Sequence, residues 1–72
     1  MVQITAQMVA SVVAVRASVG DAVAAGDTLL VVESMKMEIP VLAPVAGTVA
    51  DLQVGPGDIV EEGDMLALID PA

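Results

Sequence analysis

Apolar residues recur along this chain in short runs, most of them closed by glycine, proline or aspartate. Val2, Ile4, Ala6 and Met8 alternate with Gln3, Thr5 and Gln7, the period-two spacing of a strand with one buried face. Val12-Val13-Ala14-Val15 predicts a second strand, and Gly20-Asp21 predicts a turn after it. The segment from there to Gly26-Asp27 is too short for a stable helix and reads as a bridge between two Gly-Asp turns. Thr28 to Glu33 predicts a third main strand, which runs straight into Glu33-Ser34-Met35-Lys36-Met37-Glu38.

The second half repeats the plan. Ile39 to Ala43 reads as a strand that Pro40, lacking an N–H, confines to a sheet edge or an irregular position. Ala43 to Gly47 turns the chain, Thr48 to Val54 is a further strand, and Gly55-Pro56-Gly57-Asp58 is a tight turn. Ile59 to Glu62 is a short segment and Met65 to Ile69 the last strand. A shift of 37 residues carries Ser11-Val12, Gly20-Asp21, Val23, Gly26-Asp27, Leu29 and Glu33 onto Thr48-Val49, Gly57-Asp58, Val60, Gly63-Asp64, Leu66 and Asp70. Two similar halves, each of short strands joined by glycine turns, predict an all-β sandwich or flattened barrel with a pseudo-two-fold axis. The axis places the Lys36 hairpin and the chain termini at opposite ends.

Composition narrows the chemistry. The 72 residues fit one domain, 1–72, and 57% of them are hydrophobic with no aromatic residue, so the core is built from Val, Ala, Leu, Ile and Met. His, Cys and Tyr are absent, which removes the commonest general bases, the thiol nucleophile and most transition-metal ligands. We expect no catalytic residue and no metal site. The net charge of -8 repels phosphate backbones and excludes nucleic-acid binding through a basic patch. The uncharged stretch before Arg16 lacks a basic n-region and is interrupted by Gln3, Thr5, Gln7 and Ser11, so it reads as buried strands, not a leader. No run approaches the roughly 18 apolar residues of a membrane span, and the expectation is a cytoplasmic monomer.

Lys36 is the only lysine, and Arg16 the only other cation. An average lysine is an exposed solubilising charge, but this one sits between two methionines at a turn without the Asn-Gly or Asp-Gly that a two-residue hairpin favours. Departures from local rules are expected where function overrides them. Catalytic lysines need burial or a neighbouring cation, whereas Glu33 and Glu38 favour the ammonium form, so the amine suits being modified by another enzyme. The four Gly-Asp pairs lack the alternating acids and closing glutamate of a calcium loop and are read as turn chemistry. Ser34 has no base to activate it, and Glu61-Glu62 is read as a solvated face.

The hexapeptide Glu33-Ser34-Met35-Lys36-Met37-Glu38 resembles the attachment motif of biotinyl domains in the biotin/lipoyl attachment family. So do Gly20-Asp21-x-Val23-x-x-Gly26-Asp27-x-Leu29, Ala43-Pro44-Val45-Ala46-Gly47-Thr48-Val49 and Gly57-Asp58-x-Val60-x-x-Gly63-Asp64-x-Leu66, and Lys36 lies 36 residues from the last residue, as in such domains. The resemblance implies a flattened β-barrel, a barrel-sandwich hybrid of two four-stranded antiparallel sheets. It implies biotin joined to Lys36 by a biotin protein ligase using biotinyl-AMP, with Met35 and Met37 as recognition positions; because they flank the target amine, we expect their replacement to impair carrier function without unfolding the domain. The implied role is a biotin carboxyl carrier that shuttles a carboxyl group between a biotin carboxylase and a carboxyltransferase. Ser34 and the segment Ala6 to Val12 depart from the large carboxylases and look more like the small stand-alone biotin/lipoyl attachment proteins. The equal lengths of the two halves leave no room for a thumb insertion. Lipoyl domains share the hairpin lysine but usually carry Asp before it and a small residue after it, so the flanking methionines favour biotin over a lipoyl carrier. An unmodified interaction domain using Met35 and Met37 as a partner patch is the remaining alternative.

Overall fold

The computed structural model describes all residues from Met1 to Ala72. Eight strands form: β1 (Val2–Thr5), β2 (Ala10–Val15), β3 (Ala22–Val23), β4 (Thr28–Ser34), β5 (Met37–Leu42), β6 (Gly47–Leu52), β7 (Ile59–Val60) and β8 (Met65–Pro71). They make two four-stranded sheets, ordered β1-β8-β6-β3 and β5-β4-β2-β7, with every pairing antiparallel. The repeat maps β2, β3 and β4 residue for residue onto β6, β7 and β8, and it exchanges the two sheets. Even the irregularities repeat: the ladder slips between Val12 and Ala14 in one sheet and between Val49 and Asp51 in the other. This is the expected pair of four-stranded sheets. No helix is present to cross a membrane.

The core lies between the sheets and is filled from equivalent positions of both halves. Val12 faces the same layer as Val49, Leu29 as Leu66, and Val32 as Ile69, all of them buried. Leu29 and Leu30 are adjacent yet both buried, as are Leu66 and Ala67, which simple strand alternation forbids. The reason is a bulge in each: the ladder skips Leu29 between Thr28 and Leu30, and Leu66 between Met65 and Ala67. Pro40 sits in β5, an edge strand, as its missing N–H requires.

The Gly-Asp pairs are four copies of one turn. In Ser18–Asp21, Ala24–Asp27, Gly55–Asp58 and Glu61–Asp64 the last residue's N–H donates to the first carbonyl at 3.0–3.1 Å. The aspartate carboxylate in turn accepts the first residue's N–H at 2.8–2.9 Å. The glycine before each aspartate has φ of 90–96°, the conformation a third turn residue needs and L-residues resist. Each turn then bonds to the opposite half: Gly20 N–H donates to the Val49 carbonyl and Gly57 N–H to that of Val12. Gly26 likewise donates to Ala43 and Gly63 to Ala6. The halves are therefore interlocked, not merely stacked.

Two sequence expectations change. The bridge Ala22–Val23 and its counterpart Ile59–Val60 are short strands, because the clasped turns lay them against β6 and β2. The alternation of the first strand stops before Met8, which is 41% exposed, because the N–H of Ala6 is drawn to Asp64 and the chain leaves the sheet there. That same bond holds the start of β8 near the loop into β2, so the chain termini lie at the end of the molecule remote from the Lys36 hairpin, as expected.

Candidate functional site

The β4–β5 ladder runs from Thr28 opposite Leu42 to Ser34 opposite Met37, which leaves Met35 and Lys36 as a two-residue turn. Both have positive φ, 52° and 65°, the signs that a type I′ turn requires at its central positions. They are the only non-glycine residues with positive φ, and every other such position is a Gly-Asp glycine. Left-handed backbone costs an L-residue roughly 1–2 kcal/mol. The long ladder beneath the turn holds the conformation against this cost, a pattern that concentrates at functional positions.

The consequence is presentation. Lys36 is exposed at the apex, Met35 is 93% exposed and Met37 65% exposed, the former the most exposed large apolar side chain in the molecule. Burying so little of an apolar residue does nothing for the core, so the methionines are available for contact. Replacing Met35 with Asn, which tolerates the left-handed region, should stabilise the domain by about 1 kcal/mol, or about 4–8 °C in Tm. Thermal unfolding followed by circular dichroism reads this, and an unchanged or lower Tm would show that the turn is unstrained.

Glu33 and Glu38 lie directly opposite one another at the base of the turn and both are exposed. Like charges so placed disfavour the pair, so stability does not explain them. Arg16 is remote: its N–H donates to the carbonyl of Leu29, near the start of β4 and a strand's length from the tip. Lys36 is thus the single cation at its end of the molecule.

Across the outer face of this sheet the register aligns Ile59, Ser11, Glu33 and Glu38 in one exposed row. Val9, 63% exposed, immediately precedes β2 at the end of that strand nearer the tip. Neither Val9 nor Ile59 stands out in the sequence, where Val9 falls in a stretch read as buried strands and Ile59 in a short segment. Their exposure shows only in the structure.

An apolar groove of about 370 Å³ separates the edge strands β1 and β5, lined by Ile4, Ala6, Ile39 and Val41 among others. It contains no ionisable side chain and does not include Lys36. No group of three His, Cys, Asp or Glu side chains converges to hold a metal ion. The chemistry this surface offers is a primary amine on a rigid apex.

Comparison with known proteins identifies the family. The family model described as "Biotin-requiring enzyme" matches residues 2–69. The chain is 52% identical over 66 residues to a biotinylated protein TB7.3 homolog of Mycobacterium leprae, covering 92% of this chain and 93% of that one. Among solved structures it resembles a single-chain, multi-domain long-chain acyl-CoA carboxylase, with a TM-score of 0.92 and 35% identity, covering 99% of this chain and 7% of the other. The lipoyl domain of the Azotobacter vinelandii 2-oxoglutarate dehydrogenase complex shares the fold, with a TM-score of 0.84 at 24% identity, covering 97% and 96% of the two chains.

Proposed function

The chain belongs to the biotin/lipoyl attachment family, and from that premise we propose that residues 1–72 act as one carrier domain with biotin joined to Lys36. The protein is a biotin carboxyl carrier, a non-catalytic component of a carboxylase system, and its cofactor is covalent biotin. Related domains sit within multi-domain carboxylases. The observation that carries the choice of Lys36 is its place as the only lysine, held at the apex of a left-handed two-residue turn.

The residues fit the group. An exposed primary amine is the one functional group here that can form a stable amide with a carboxylic acid, and no neighbouring side chain obstructs it. Attachment requires Lys36 to lose a proton, attack the acyl carbon of biotinyl-AMP held by a biotin protein ligase, and displace AMP. Biotin, once bound, supplies a ureido nitrogen able to take up and give back a carboxyl group. Everything else is positioning. The β4–β5 ladder fixes the origin of the arm, and Met35 and Met37 present an apolar collar that partner active sites recognise. Biotin carboxylase and carboxyltransferase are the partners we propose for the loaded domain, which acts as a monomer in the cytoplasm.

Co-expression with a biotin protein ligase followed by intact mass measurement tests this reading. A single biotinyl increment is expected. A lipoyl increment from lipoylating cells, or an unmodified mass beside active ligase, would overturn it. The lipoyl-domain likeness concerns the fold alone, and Met35 and Met37 are what separate the two cofactors.

A further inference from the structure

The 37-residue repeat makes the molecule its own control, because each end is built from equivalent strands, with the hairpin at one end and the chain termini at the other. At the hairpin end Ile59, Val9 and Glu61 are exposed, beside the exposed Met35 of the turn. The positions equivalent to Ile59, Val9 and Glu61 at the other end are Ala22, Ala46 and Ala24, all exposed and all alanine. Ile59 is 73% exposed, Val9 63% and Met35 93%, so the enlarged side chains stabilise no core. A fold that needed apolar bulk at these positions would need it at both ends. We propose that this face, centred on Ile59, Val9 and Met35 with Glu33, Glu38 and Glu61 around it, is the docking surface for the enzyme that acylates Lys36, an inference that rests on the reading of Lys36 as the attachment residue.

Three features select that occupant. The patch is continuous with the apex: Ile59, Ser11 and Glu33 form one row, Val9 immediately precedes β2 at the same end, and Glu33 lies two residues before Met35. Reach decides between the acylating enzyme and later partners. An enzyme reacting with the amine itself has only four methylenes between its active site and the backbone, so its surface must seat on the sheet face around the turn. An enzyme acting on the far end of a biotinyl arm can meet the methionine collar at the apex but, standing off by the length of that arm, has no need to seat on Ile59 and Val9. Charge supplies the third feature. The rim is wholly acidic apart from Lys36, and the chain carries -8 overall, so the matching surface has an apolar centre with basic residues about it.

Steady-state biotinylation with biotin protein ligase, biotin and ATP tests the assignment on the full chain. Ile59→Thr combined with Val9→Ala keeps β-branching at Ile59 and removes apolar surface that is exposed in the free domain. We expect KM for the domain to rise roughly ten-fold or more with kcat unchanged, since a few methylenes withdrawn from an interface weaken binding by about that factor. Val19→Ala, which removes a 60% exposed side chain from a turn outside the patch, should leave KM at the wild-type value. Circular dichroism confirms that the variants fold, and Ile59→Ala replaces Ile59→Thr where the double variant does not. An unchanged KM in the folded double variant, or an equal rise in Val19→Ala, overturns the docking surface while leaving Lys36 as attachment site. Failure of the wild-type domain to accept biotin overturns the attachment reading, and the docking surface with it.

Discussion

Lys36→Arg abolishes biotin incorporation completely while leaving the fold and its thermal stability unchanged. Arginine keeps the charge and the length of the side chain, so solubility and the local field beside Glu33 and Glu38 are preserved. Its guanidinium stays protonated and is no acyl acceptor, so the chemistry is lost. No second lysine exists to take over. The one other primary amine is the N-terminus at Met1, at the opposite end of a molecule 34 Å long and away from the hairpin. Intact mass after exposure to active ligase should therefore show no increment, against a full increment in the wild type. Residual modification of Lys36→Arg would move the attachment site to Met1.

Gly47→Val should produce the largest loss of stability of any single substitution outside the layer of buried leucines. Gly47 opens β6 and pairs with Pro71, and a Cβ added there would run into the backbone carbonyl oxygen of Asp70 and lie 2.9 Å from Ile69 Cγ2. Neither obstacle can move freely, because Asp70 and Ile69 are held in ladder with Thr48 and Val49. Overpacking costs about 1–3 kcal/mol even where neighbours relax. A domain of this size has about 4–11 kcal/mol in total, from the usual stability per residue. Gly47→Ala should lower Tm by roughly 5–20 °C and Gly47→Val by more, to the point of partial unfolding at 37 °C. The repeat again supplies the comparison. Ala10 occupies the equivalent place and is tolerated, because the β2–β4 ladder starts one residue later, at Ser11 opposite Glu33. A Gly47→Val domain that melts with the wild type would show that β8 yields at its end.

Much of this architecture is legible in the residues. Punctuation by Gly-Asp places the turns, period-two alternation places β1, and Pro40 marks an edge strand. The repeat required that whatever the first half does, the second half does again. Lys36 could be singled out because it is alone and because a turn that lacks glycine is anomalous. The sequence did not reveal β3 and β7, since two residues cannot establish a period. Nor did it reveal that Val9 and Ile59 are exposed, since an apolar residue in an apolar run reads as core until its neighbours in space are known.

What the sequence determined by itself is therefore the local grammar: strands, turns, the two-fold repetition and a single amine with methionine on either side. Those follow from short-range preferences, namely the positive φ that glycine permits, the N–H that proline lacks and the alternation of a half-buried strand. Only the tertiary structure decided that each Gly-Asp turn closes on the opposite half, because hydrogen bonds such as Gly20 to Val49 and Gly57 to Val12 join residues with no local relation. That interlock, with the seven-residue ladder of β4, is what holds Met35 and Lys36 in a conformation neither residue prefers. A lone lysine becomes a presented one for that reason: its backbone is fixed by pairing far along the chain, and its side chain is left nothing to touch but a partner.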